Sequence, residues 1–277
     1  MRKMIVVFSL LCLAAALPAA GQGIVSWSLS GNAISLTVSL PGGLGSDASL
    51  TFEDASGLNL ANLGISAQVV NLLDLSLLSR LGGASLPSAF PVLVRIEPPA
   101  AGGLAFHGIT TLEVHTHNLG YVTGSPLRIF SAPIGGTFKD ITTAMGPGSY
   151  RARGSTGGFS EFLIVIDLRS VNQVITSKLD RLEQLLDTYQ ALTPGALYDD
   201  LEERLDDIRA DFARGATADA IQGVDDFLAV VQQHSGTDIP DLWRSARDVQ
   251  NVAGYLRAAA LTLRFSLAVK SGSGFGL

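Results

Sequence analysis

Glu113, His115 and His117 are the residues whose types and spacing most readily suggest chemistry. Side chains two apart on a strand share a face, so these three would lie together while Leu112 and Val114 turn into a core. Two imidazoles and a carboxylate suit zinc, copper or nickel. The set predicts a divalent-metal site that needs a further ligand or a coordinated water, and the matching enzyme would be a metal-dependent hydrolase. The competing reading is three polar side chains standing in solvent. A second cluster, Asp199, Asp200, Glu202, Glu203, Asp206, Asp207 and Asp211, lacks the alternating oxygen ligands and glycine of a calcium loop, and reads as a solvated helix face. Gly135-Gly136, Gly146-Pro147-Gly148 and Gly154–Gly158 have neither the lysine and hydroxyl of a P-loop nor the glycine spacing of a dinucleotide fold, and read as turns. Ser160 sits in an expected strand without the strand-to-helix elbow of a hydrolase nucleophile. No catalytic residue and no organic cofactor is therefore expected. Tyr121, in the polar loop Gly120–Ser125, and Tyr150 are candidate ligand-binding platforms for stacking on sugar rings. Trp27 belongs to a buried alternation and Trp243 to a helix start.

The elements that must position these residues fall into two halves. From Ile24 to Leu168 the apolar period is two. Val25, Trp27 and Leu29 alternate with serines, Gly31-Asn32 turns the chain, and Ile34, Leu36, Val38 and Leu40 alternate on the return, which predicts a hairpin. Further strands are expected at Leu50–Glu53, Phe90–Glu97, Ile109–Asn118, Leu127–Phe130 and Ser149–Arg153. Phe162–Ile166 is apolar on both sides and should be central. Ile65–Leu81 reads as a strand and a short helix capped by Asp74, with Leu77, Leu78 and Leu81 against the sheet. Gly, Pro and Ser clusters between the runs point to a β-sandwich over 22–168.

After Arg169 the period becomes helical. Ser170 caps a helix with Val171, Val174, Leu182, Leu185, Leu186 and Tyr189 inside. Thr193-Pro194 starts a second along Leu197, Leu201, Leu205, Ile208 and Phe212. Thr217 opens a third along Ile221, Val224, Phe227, Leu228 and Val231. Asp238, followed by Ile239-Pro240, opens a fourth along Leu242, Val249, Leu256 and Leu263, although the period-two pattern of Leu261–Val269 also allows a closing strand. Four amphipathic helices predict an antiparallel bundle over 169–270, with a flexible tail at 271–277. The expected fold class is α+β with the two kinds of structure segregated.

Met1-Arg2-Lys3, the apolar stretch Met4–Leu17 and the small residues Ala19 and Gly21 describe a secretory signal peptide over 1–21. The chain is then expected to be exported, periplasmic or secreted. The one cysteine, Cys12, lies inside that segment, so the mature part has neither disulfide nor thiol nucleophile. No later run is long and uncharged enough to cross a bilayer. Net charge is −6 in 277 residues, with 6 basic and 9 acidic residues over 22–168 and 11 and 16 over 169–277. Neither half offers the basic surface that neutralises phosphates, so nucleic acid is excluded as a partner.

Lys178-Leu179, Leu182, Leu201-Glu202-Glu203-Arg204-Leu205, Ala220–Val231 and Gly236 resemble the FIMAH helical module of secreted bacterial enzymes and adhesins. The resemblance implies an accessory interaction module and brings no catalytic residues. The order Pro98-Pro99, Gly103–Phe106, Leu127–Phe130 and Phe159-Ser160 is similar to that of extracellular bacterial sandwich modules. His115–Leu119 and Gly158–Phe162 resemble segments of an uncharacterised family of exported bacterial proteins. The expected function is a non-catalytic interaction module of the bacterial envelope or extracellular space, adhesin-like or scaffolding, with a protein or glycan partner. The alternatives are the metal site or metal-dependent hydrolase on Glu113, His115 and His117, and a carbohydrate-binding module.

Overall fold

A computed structural model describes residues 23–146 and 148–274 of the chain. The expected signal peptide, and the last three residues of the expected tail, lie outside the described residues. The fold is mixed α+β: antiparallel sheets dominate the N-terminal half and helices the C-terminal half. The hairpin forms as its alternation requires, with β1 (Ile24–Ser30) and β2 (Ala33–Leu40) joined at Gly31-Asn32. It continues through β3 (Leu44–Ser56) to β6 (Ala105–Tyr121), β10 (Gly148–Thr156) and β9 (Thr142–Gly146), in the spatial order β1-β2-β3-β6-β10-β9. The smaller sheet orders β4 (Ile65–Val69), β5 (Val92–Ile96), β11 (Glu161–Ile166), β7 (Leu127–Ala132) and β8 (Lys139–Asp140). One core draws on both sheets, with Ile34, Leu36, Leu50 and Leu112 from the larger and Ile65, Val92, Ile129, Phe162 and Ile164 from the smaller.

Strand β11 is central, and its continuous apolar run has a direct use. Phe162 and Ile164 enter the core between the sheets, while Leu163 and Val165 enter a second core on the opposite face with Leu77, Leu81 and Phe138. That second core is closed by α2 (Leu75–Leu78), after the short α1 (Leu60–Leu63). Asp74 caps α2 by accepting from the Ser76 and Leu77 amides. From the cap position its carboxylate satisfies donors that the helix itself leaves open.

In the C-terminal half, α3 (Val171–Tyr189) starts at a reciprocal capping box between Ser170 and Gln173. It is followed by α4 (Gly195–Ala213), α5 (Thr217–His234) and α6 (Val252–Lys270), which share one apolar core. Two details differ from the sequence reading. Thr193 does not cap α4: its hydroxyl turns back to the Tyr189 carbonyl, and Pro194 occupies the cap position. The fourth helix begins at Val252 instead of Asp238, and it runs through 261–269 without a strand. Between them, Leu242–Arg244 forms β12, paired to β6 beyond the end of β10. Trp243 is therefore a strand residue. It stacks on Phe106 at 5.2 Å between centroids and meets Phe159 edge-on at 5.0 Å, and this aromatic contact repays the extended conformation.

Strand β12 and Phe265 of α6 place C-terminal residues in the core between the sheets. The halves are thus packed together at a specific junction. Asn251, fully buried, donates to the Gly108 carbonyl at 2.6 Å and the Gly157 carbonyl at 3.0 Å, and accepts from the Gly254 amide at 2.9 Å. A Cβ on Gly254 would stand 2.4 Å from the Gly108 oxygen, and one on Gly157 would stand 2.5 Å from the Tyr255 nitrogen. Only glycine allows backbones to approach this closely. Arg257 on α6 then makes a two-pronged ion pair with Glu53 on β3, at 2.7 and 2.6 Å.

A further correction concerns β1. Trp27, Leu29 and Val25 are 48%, 45% and 63% exposed instead of buried. Trp27 and Leu29 pair with the buried Leu36 and Ile34, so they point to the core side of the sheet. At its β4 end the smaller sheet reaches the larger one at β2, which leaves β1 overhanging.

Candidate functional site

The outward face of the larger sheet gathers the polar residues that the strand spacing singled out. Cross-strand register places Asp47, His115 and Arg151 in one row and Ser49, Glu113 and Arg153 in the next. All of these except Arg153, together with Ser28 and Thr37, border a shallow depression of about 420 Å³. The Thr37 hydroxyl donates to Asp47 at 3.1 Å. Glu113, His115 and His117 do share this face, and the two imidazoles meet edge-to-face at 4.6 Å between centroids. They are nevertheless not brought together as ligands. Glu113 is drawn sideways onto Arg153, at 2.7 Å, and His115 Nε2 is bonded to Ser149 Oγ at 2.6 Å. Among the described residues no three His, Cys, Asp or Glu side chains converge as a metal site. The Ser149–His115 contact, which the sequence did not suggest, is the beginning of a nucleophile–base pair. Among the described residues, no carboxylate bonds the other ring nitrogen of His115.

Tyr121 and Tyr150 are corrections. Both are buried, Tyr150 completely. The supposed loop at Gly120–Tyr121 is the end of β6, where Tyr121 pairs with Gly148 and turns inward. Tyr150 sits opposite the buried Thr116 on the same inner face. Burial raises the pKa of each hydroxyl, with Arg128 pulling weakly the other way. Neither ring offers a face to a sugar. The acidic residues of α4 meet solvent as expected, with Arg204 paired to Asp200 at 3.0 Å.

Two buried charge clusters went unread in the sequence. Glu161, at the start of β11, is enclosed by Arg80 and by Arg95, the latter at 2.6 Å. Burial pushes its carboxyl up, and the hydrogen bonds and charges of the two arginines more than reverse this, holding it below the usual range. Asp140 on β8 pairs with Lys178 on α3 at 2.7 Å, both side chains nearly inaccessible. Burial opposes the charge on Asp140, but Lys178 outweighs it and keeps the carboxyl ionised below its ordinary pKa. The available signal was Lys178 itself, which falls on the apolar stripe of α3 between Ile175 and Leu182.

The most open feature is β1. It ends the larger sheet, so its outer backbone edge is unpaired among the described residues. Its seven residues, IVSWSLS, carry neither charge nor proline. Natural edge strands are ordinarily blunted by one or the other.

A search of the curated proteins finds no match. A family of unknown function, DUF6689, matches residues 8–271, and the chain belongs to it.

Proposed function

We propose that this member of the family is an exported, non-catalytic interaction protein of the bacterial envelope or extracellular space, which recruits a protein partner along the β1 edge. The observation that carries the reading is the open strand Ile24–Ser30, uncharged and proline-free, with Val25, Trp27 and Leu29 exposed. An added strand would gain main-chain hydrogen bonds along that edge, and alternate side chains would cover the apolar row. The two sheets sharing one core support a β-sandwich as the platform. Helices α3 to α6 sharing another support a helical bundle, in keeping with the FIMAH-like pattern of an accessory module. The signal-like residues 1–21 support export.

Trp27 reports on the edge directly. Replacing the buried Trp243 by Phe leaves Trp27 as the one tryptophan. Titration with a solubilised envelope protein fraction should then shift its emission to the blue and saturate. Emission that stays unchanged while the chain binds elsewhere would remove β1 from the account.

A further inference from the structure

The β7–β8 edge of the smaller sheet, the end of β10 and helices α3 and α6 enclose a cleft of about 290 Å³. Its volume lies near the lower end for small-molecule pockets, roughly 300–1,000 Å³. The charges around it do not cancel. Lys178 is neutralised by Asp140 and also donates to the Thr262 carbonyl at 2.9 Å. Arg169 is neutralised by both oxygens of Asp167, at 2.9 and 2.7 Å. Arg181, one helical turn beyond Lys178, lines the same cleft half-buried and has no carboxylate within ion-pair distance among the described residues. Its one side-chain hydrogen bond among the described residues is to the amide oxygen of Gln184, at 2.9 Å. The nearest acids in sequence, Asp180 and Glu183, are both held by Arg209.

A half-buried guanidinium without a countercharge is costly to maintain, and burial accordingly pushes its pKa down. Tyr255 faces it from α6. Its hydroxyl lies over Gly158, where a Cβ would stand 2.4 Å away. Burial raises its pKa to about 12, so at neutral pH the hydroxyl is a donor. Phe130, Phe138 and Leu185 supply an apolar wall.

We propose that this cleft binds a small organic anion, a carboxylate or a phosphate ester, with its acidic group on Arg181 and Tyr255 and its apolar body against the Phe130–Phe138 wall. The planar guanidinium fork matches either oxyanion with two parallel hydrogen bonds. This site is independent of the β1 edge.

The test is calorimetric titration of the full chain with benzoate and with phenyl phosphate, using benzyl alcohol as the neutral control. Saturable binding of one anion, with none of the alcohol, is expected, and the responding arm identifies the acid. Arg181→Gln should weaken binding at least tenfold, while Arg244→Gln, at an exposed site on β12, leaves it unchanged. Ser177→Glu covers the case in which Arg181→Gln does not fold. Ser177 is exposed, lines the cleft and precedes Arg181 by four residues, so the new carboxylate pairs with Arg181 without disturbing the core. It should abolish binding of both anions. Failure of both anions to bind the unmodified chain, or equal binding to Ser177→Glu, would overturn the proposal.

Discussion

Asn251 is the residue on which the docking of helices to sheet should depend most. Asn251→Ala removes the cap of α6, worth about 1 kcal/mol. It also takes the shared donor from the buried Gly108 and Gly157 carbonyls, a loss of about 1–3 kcal/mol. The sum, about 3 kcal/mol, corresponds to a fall in Tm of about 6–12 °C for a chain of this size. Asn251→Asp keeps the shape and the acceptor for the Gly254 amide, but turns a carboxylate toward two carbonyl oxygens. At pH 7 it should be worse than Asn251→Ala by at least about 1 kcal/mol. The new carboxyl is driven to a folded pKa above its unfolded value of about 3.9. Its protonated form therefore favours the folded state, and its deficit should shrink as pH falls, while that of Asn251→Ala does not follow it. Thermal unfolding of the two variants between pH 7 and pH 4 is the assay. Equal deficits at every pH, or a loss below about 1 kcal/mol for Asn251→Ala, would refute the reasoning.

Lys178→Met strands a buried carboxylate and should cost about 3–5 kcal/mol, whereas adding Asp140→Leu to it should restore most of the loss; chemical denaturation of the single and double variants reads both. Glu161→Gln leaves Arg80 and Arg95 without their countercharge and should cost about 2–3 kcal/mol in the same assay, below the fully buried figure because both arginines reach solvent. The Glu161 and Asp140 carboxyls have folded pKa values below their unfolded ones, so their stabilisation is full above about pH 5 and is lost as pH falls below about 4; an acid titration followed by circular dichroism should show the unmodified chain losing stability there and Glu161→Gln losing less. Equimolar zinc should raise the Tm by less than about 1 °C, because Glu113 and His115 are already engaged; a rise of several degrees that disappears in the His115→Ala/His117→Ala variant would restore the metal-ligand reading.

Much of the fold was legible where local rules decide it. Ser170 with Gln173, Asp74 before α2, and Gly31-Asn32 between alternating strands each specify a start or a turn within four residues. The doubly apolar run of β11 correctly marked a central strand. What escaped depends on partners distant in the chain. Leu242–Arg244 is too short to show a period, and it is a strand because β6 lies beside it and Phe106 receives Trp243. Trp27 illustrates a different limit: alternation says which way a side chain points, but not whether the opposite sheet extends beneath it. Tyr121 was misread because Gly120 and Gly124 resemble turn punctuation, while the pairing with Gly148 carries β6 through the first of them. For the outward face, the strand period correctly placed Glu113, His115 and His117 together. It could not show that Arg153 and Ser149, both from β10, claim two of them.

The most direct test of β1 as the recruiting edge is quantitative cosedimentation of the full chain with isolated envelope fractions, comparing it with the Trp27→Lys/Leu29→Lys variant. Both side chains are exposed, so the variant should keep the unmodified Tm to within a few degrees. The account predicts saturable sedimentation of the unmodified chain and at least tenfold weaker sedimentation of the variant. Sedimentation of both to the same extent, or of neither, would contradict it.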